Sequence, residues 1–364
     1  MNKHLSSIKK TAVLVAVSWL AIPAFAGIGG FIDTQITDTE NTNPNSEIAD
    51  AAVYVTKELG RGKMVLDLPF SYTAANAEGV ILKQDLTSSG LGNSTNVRPY
   101  ATAFRAFNKK AQAYLSWGYD FGLNWQLGRF DSPFLNEAQD TVGLNALTEQ
   151  GPLFFALPNM HNGLMLTYAA GPMSVMALTS RADGRVSDKA NGENLEWGVL
   201  AKYAQGSMYA GAGLYLHKPN TETHSVVEVM LGTKMSDISV DAQAIFTKPA
   251  KAGADSGFGA GATIGYQLDK MWSFAVRPNY LSKVALNNGN EIAQVEVDTA
   301  AAGAASWHVG GGAYRWFQVA VGPQAQVSDE LRIRANFIWD SIKATESLDA
   351  VSSTAWTLSA VYKF

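Results

Sequence analysis

The side chains that could do chemistry are few and poorly spaced for it. Of the five histidines, His161, His217, His224 and His308 lie beyond the amino-terminal region. None stands in a His-Glu-x-x-His pair, the spacing that puts two imidazoles on one helical face. His217 and His224 flank a short polar stretch and could meet, but two loop imidazoles without a third ligand do not make a metal site. Cysteine is absent, which removes disulfides, thiolate ligands and a thiol nucleophile together. No Gly-x-Ser-x-Gly elbow presents a serine. The glycine runs Gly257-Phe258-Gly259-Ala260-Gly261 and Gly310-Gly311-Gly312 lack the strand-to-helix setting of a phosphate loop, and fit positions where a strand must avoid crowding. The expectation is no enzyme, no catalytic residue, no metal and no cofactor.

What remains is charge. The chain has 28 basic and 32 acidic side chains, a net −4. Loss of a leader carrying Lys3, Lys9 and Lys10 would take this three units further, to −7. The longest basic cluster after the leader is Lys109-Lys110, so a nucleic-acid partner, which needs a basic stripe, is not expected. Asp67, Glu196, Lys202, Glu228, Lys234, Asp241, Arg277, Arg332, Arg334 and Lys363 nevertheless alternate with apolar neighbours. A lysine or arginine facing lipid at mid-depth costs about 2–4 kcal/mol, which places these charges on an enclosed, wet face. Both signs occur there, a lining that favours hydrated polar solutes and disfavours strong ion selectivity.

The elements that must position these charges are strands of period two. At the carboxyl terminus Trp356, Leu358, Ala360, Tyr362 and Phe364 alternate with Thr357, Ser359, Val361 and Lys363. Similar stripes run through 331–339, 317–322, 238–246 and 258–268. An apolar stripe with aromatic residues near both ends fits a lipid-facing strand carrying both interfacial girdles. Short turns are expected at Gly60-Arg61-Gly62, Tyr119-Asp120, Gly171-Pro172, Gln205-Gly206, Ser236-Asp237, Asp269-Lys270 and Ser328-Asp329-Glu330. Longer polar stretches lie between them, near 38–47, 73–110, 131–160, 181–194, 218–223, 249–256, 284–315 and 343–351. This strict alternation is that of outer-membrane barrels, with tight periplasmic turns and long outside loops. Counting from a first strand at Gly30–Thr37 gives an all-β, transmembrane antiparallel barrel of about sixteen strands, with both termini periplasmic. Fourteen or eighteen are the alternatives, since strands could hide in 73–110 and 284–315.

Targeting agrees with this compartment. The three leader lysines precede an apolar run from Ala12 to Ile22, then Pro23 and the small-residue site Ala24-Phe25-Ala26. The run is short of the ~20 residues that span a bilayer, so residues 1–26 read as a cleaved signal peptide. Residues 27–364 read as one barrel domain in the bacterial outer membrane.

The segment Trp125-Gln126-Leu127-Gly128-Arg129-Phe130-Asp131-Ser132-Pro133-Phe134, followed by Glu137 and Asp140 and continuing through Pro158 to Tyr168, resembles the OmpL-like β-barrel porin family. Tyr362-Lys363-Phe364 also looks like the signal that the bacterial barrel-assembly machinery recognises. The resemblance implies a passive diffusion channel for small hydrophilic solutes and ions. In porins of similar arrangement the loop after strand five folds into the lumen. Asp131, Glu137, Asp140 and Glu149 would then face a basic wall of Arg277, Arg332 and Arg334 and set a transverse field; otherwise these acids decorate an external loop. Two other readings stay open: a structural or adhesive barrel plugged by its own loops, and a substrate-specific channel, for which Tyr209, Tyr215 and Trp316 would have to point inward. Sixteen-stranded porins are commonly trimers, so a homotrimer is admitted alongside lipid contact.

Overall fold

Strands whose alternate side chains are apolar can leave water only by closing on themselves in lipid, where every backbone N–H and C=O must be paired within the protein. A computed structural model describes residues 27–39, 45–73, 111–138, 141–144, 146–148, 150–157, 160–182, 195–217, 224–249, 256–283, 295–297, 305–307, 315–343 and 350–364. The expected signal peptide, Lys109-Lys110, His308 and Gly310-Gly311-Gly312 lie outside these residues. The strands are β1 (Gly27–Thr39), β2 (Asn45–Leu59), β3 (Gly62–Thr73), β4 (Gln112–Gly118), β5 (Leu123–Asp131), β6 (Met160–Ala170), β7 (Met173–Ala182), β8 (Glu196–Gln205) and β9 (Met208–His217). They continue as β10 (His224–Met235), β11 (Ile238–Pro249), β12 (Gly257–Gln267), β13 (Trp272–Ser282), β14 (Val295–Val297), β15 (Ala305–Trp307), β16 (Arg315–Gln326), β17 (Leu331–Lys343) and β18 (Val351–Lys363).

All but β14 and β15 form one closed antiparallel barrel, each strand paired with its sequence neighbours and β13 with β16. The barrel therefore has sixteen strands. β14 and β15 pair only with each other, so the strands hidden in 284–315 add nothing to the wall. The interval 74–110 lies outside the described residues. Each of the seven expected short turns joins two consecutive barrel strands.

The seam runs between β1 and β18, in register from Phe31 opposite Lys363 to Thr39 opposite Ala355. Gly30 and Phe364 extend it by exchanging both backbone bonds, at 3.0 and 3.1 Å. A Cβ on Gly30 would stand 2.6 Å from Cζ of Phe364, so only glycine lets that ring lie over the seam.

Parity separates the two faces sharply. Along β18, Trp356, Leu358 and Tyr362 are 50–60% exposed, while Thr357, Ser359 and Val361 are at most 5% exposed. The exposed set faces outward and makes the wall's exterior apolar, with paired rings such as Phe246–Phe258 and Phe337–Trp356. This is the exterior of an outer-membrane barrel.

Candidate functional site

Among the described residues, side chains from the segment between β5 and β6 take part in three buried apolar clusters on the inner wall, so this segment lies inside the lumen. Its composition dictates that. Phe134, Leu144, Leu147, Leu153 and Leu157 are each at most 5% exposed, and together they would cost far more in water than a polar loop could offset. A short helix α1 (Pro152–Ala156), begun by a proline that suits a first turn, turns Leu153 and Leu157 toward the wall.

The wall is shaped to receive them. Phe134 packs against Tyr215, ring centroids 5.1 Å apart. It occupies a notch where Cβ atoms on Gly198 and Gly213 would come within 2.6 and 3.1 Å of its ring. Leu153 fills a second notch over Gly259 and Gly261, each of whose Cβ atoms would come within 2.8 Å of it. Farther round, Ala146 and Leu147 pack against Ala275, Ala320 and Ile338. A Cβ on Gly322 would meet the Ala146 carbonyl oxygen at 2.7 Å. The glycines of β12 read from the sequence as relief from crowding thus make room for a loop leucine.

Polar contacts hold the segment at both ends. Arg334 donates to the Leu147 carbonyl at 2.6 Å, to Asp33 at 2.7 Å and to Ser359 at 3.1 Å. Ser359 donates to Asp33 at 2.6 Å, and Gln35 donates to both Asp33 and the Thr148 carbonyl. Asn336 reaches the Thr148 hydroxyl, and Arg332 donates to the Val142 carbonyl. Two strands farther round the wall, on β13, Arg277 donates to Glu137 at 3.1 Å, and the same carboxylate accepts the Gly151 N–H at 2.6 Å. Gln243 donates to the Phe134 carbonyl and to Glu228.

At the root of the segment His161 is fully enclosed. Its Nε2 lies 3.0 Å from Ser132 Oγ and its Nδ1 2.8 Å from Ser180 Oγ, with Phe130, Phe134 and Tyr215 around the ring.

The expected site residues divide into three groups. Arg277, Arg334, Glu196 and Glu228 point inward but are at most 3% exposed; each is enclosed by neighbours, with Glu196 bonded to the Tyr215 hydroxyl. Lys202, Asp241 and Arg332 are half-buried, and Lys234 and Lys363 are exposed near the short-turn end. Asp67 is buried and accepts from Gln112. Of the loop acids, Glu137 meets Arg277 directly, at 3.1 Å. The cause is desolvation, because a charge so enclosed needs its counterion at bonding distance. Asp131 lies on the other side, its backbone N–H donating to Gln112. Asp140 and Glu149 lie outside the described residues. Tyr209, Tyr215 and Trp316 do turn inward, bonded to Asp241, Glu196 and Asp340. Tyr362 faces outward at 50% exposure.

Sequence reasoning missed Asp33, Gln35, Thr148, Asn336, Phe134 and Leu153. The signals were present in the large apolar residues of the loop and in glycines spaced by two on inner faces.

Between the segment and β11–β13 lies a small open recess of about 20 Å³, room for about one water, lined by Asn136, Glu137, Leu153, Asp241, Gln243, Ala262, Thr263 and Asn279. The Tyr209 hydroxyl stands at its edge, 2.9 Å from both Asn136 and Asp241. Its lining mixes carboxylates and amides with the apolar residues Leu153 and Ala262.

Neither a protein-family model nor a curated protein matches the chain. Solved structures do share its fold. An anion-selective porin from Comamonas acidovorans is similar with a TM-score of 0.57 at 13% identity, covering 93% of this chain and 99% of that one. The outer-membrane channel DcaP of Acinetobacter baumannii gives 0.56 at 12%, covering 93% and 97%. OmpT of Vibrio cholerae gives 0.55 at 10% with the same coverage, and has also been solved in a trimer form. The chain therefore has the outer-membrane barrel fold, and its place is the bacterial outer membrane.

Proposed function

We propose that the protein is an outer-membrane porin, a passive diffusion channel for small hydrophilic solutes and ions with weak selectivity. The observation that carries this is a closed sixteen-stranded barrel whose inward loop, pinned to the wall by side chains, leaves a recess against β11–β13. Its lining mixes Glu137 and Asp241 with neutral amides, and Lys202 and Arg332 stand half-buried on the same interior surface. Mixed charge of this kind leaves no large single-sign field to select by. In this reading the segment from Asp131 to Met160 narrows the lumen, Glu137 is its acid at the wall, and Arg277 and Arg334 act as anchors. The OmpL-like affiliation, assembly through the terminal Tyr362-Lys363-Phe364 and a homotrimeric state belong to the same proposal.

A second reading has a specific observation in its favour. The two apolar clusters that seat the segment are packed as a protein interior is, which is how a plugged structural or adhesive barrel would be built. Liposome swelling with sugars of graded size separates the two. A porin admits small sugars and excludes larger ones at a definite size, whereas absence of swelling with any sugar would leave the plugged barrel.

A further inference from the structure

The recess against β11–β13 holds two polar groups that the pinning of the loop does not use. Asn279 on β13 is 2% exposed, and its amide nitrogen has no hydrogen-bond partner. The side chain leans over Gly261 of β12, which also lines the recess; a Cβ on that glycine would collide with the amide oxygen. A buried donor left unmet is costly, and in native proteins such groups are nearly always satisfied. Asp241, on the β11 side of the recess, is the second group. Glu137 has Arg277 as its counterion, whereas among the described residues no lysine or arginine pairs with Asp241, which accepts from the Tyr209 hydroxyl.

The recess therefore offers an unmet donor together with a carboxylate that has acceptor capacity to spare. Its volume of about 20 Å³ is room for about one water. A bare cation would suit Asp241 but oppose the Asn279 donor, and an anion would do the reverse. A hydroxyl group satisfies both, because it donates one bond and accepts through two lone pairs.

Tyr209 indicates what would carry that hydroxyl. It points into the lumen and lies over Gly232, its register partner on β10, where a Cβ would collide with the ring. The half-buried ring thus lies along the wall, its hydroxyl at the recess edge bonded to Asn136 and Asp241. A fixed aromatic ring beside a few placed polar groups suits a ligand with an apolar face and a polar edge. A pyranose sugar has that form, with C–H bonds on its faces and hydroxyls around its rim.

We propose that the recess is a subsite for one hydroxyl of a neutral sugar, bonded between Asn279 and Asp241 while the sugar ring lies against Tyr209 in the open lumen. This rests on the porin reading and deepens it by naming a solute class.

The test measures binding to the full-length barrel by saturation-transfer NMR in lauryldimethylamine oxide, a detergent without hydroxyls. Three probes are used: methyl glucoside, tetrahydropyran, which is the same ring without hydroxyls, and methylammonium. Methyl glucoside should bind saturably and tetrahydropyran should not. Asn279→Leu nearly keeps the volume and removes an unmet donor, so it should fold and weaken sugar binding about tenfold. Asp241→Asn should weaken it by a similar factor, and it carries the test alone if Asn279→Leu loses heat-modifiable electrophoretic mobility. Thr167→Ala, on the inner face of β6, should leave binding unchanged. Undiminished binding by a folded Asn279 or Asp241 variant would overturn the proposal. So would the absence of sugar binding, which would leave the recess to a water, or tighter binding of methylammonium, which would make it a cation site. None of these measurements needs flux. A barrel that binds the sugar but passes no solute in liposome swelling would refute the porin reading alone; a conducting barrel that binds none would refute this one alone.

Discussion

Enclosing a guanidinium is costly unless its donors are met, and Arg334 uses its two terminal nitrogens to join three parts of the chain: the loop carbonyl of Leu147, Asp33 on β1 and Ser359 on β18. Both members of its ion pair are wholly buried. Removing one partner of such a pair strands the other charge, typically at about 3–5 kcal/mol. Arg334→Gln should therefore lower the temperature at which the barrel loses its heat-modifiable mobility and should make single-channel current noisier as the loop loosens. The double variant Asp33→Asn/Arg334→Gln should recover part of that loss, because the pair and not the arginine alone is the unit; simple additivity in the cycle would refute the coupling. That these charges point inward was legible from alternation alone. That Arg277 and Arg334 are sealed under a loop was not, since their partners lie 140 and 187 residues away and strand parity says nothing about what covers an inner face.

Turns and strands were the legible part of the fold, because a barrel repeats one local rule: an apolar stripe outside, a polar stripe inside, and a tight turn at one end. The seven short turns and the strand count follow from that rule. The segment between β5 and β6 breaks it. Treated as a polar stretch, it nonetheless carries Phe134, Leu147, Leu153 and Leu157, and its seats at Gly198, Gly213, Gly259 and Gly261 come from three different strands. Such complementarity is written in pairs of distant positions, neither of which is informative alone. The element's role is separable from the wall's, since the strand pairing does not pass through it. Deleting residues 134–150 should leave a closed, heat-modifiable barrel while raising single-channel conductance and the size of sugar admitted to liposomes. A variant of unaltered conductance would mean that the segment does not limit the path.

Closure is the property of the whole molecule, because a sixteen-stranded sheet in lipid has no tolerable edge and the seam between the first and last strands must form before the wall is sealed. Phe364 sits at the periplasmic end of that seam. Its backbone exchanges two bonds with Gly30, and its ring covers the glycine that faces it. The remaining register, from Phe31–Lys363 to Thr39–Ala355, does not depend on it. Loss of the terminal residue thus removes a small part of the seam's hydrogen bonding but the whole of its aromatic end. If that end serves chiefly as an assembly signal, deleting Phe364 should sharply reduce the fraction of chains inserted in the outer membrane of cells. The chains that do insert should keep a near-native heat-modification temperature and unchanged conductance. If its role were mainly structural, the inserted chains would instead be markedly less heat-stable, and detergent refolding of the purified protein would fail to the same degree as insertion in cells. Comparing the two defects in one variant distinguishes the roles, because the assembly machinery acts only in the cell whereas the seam must close in both.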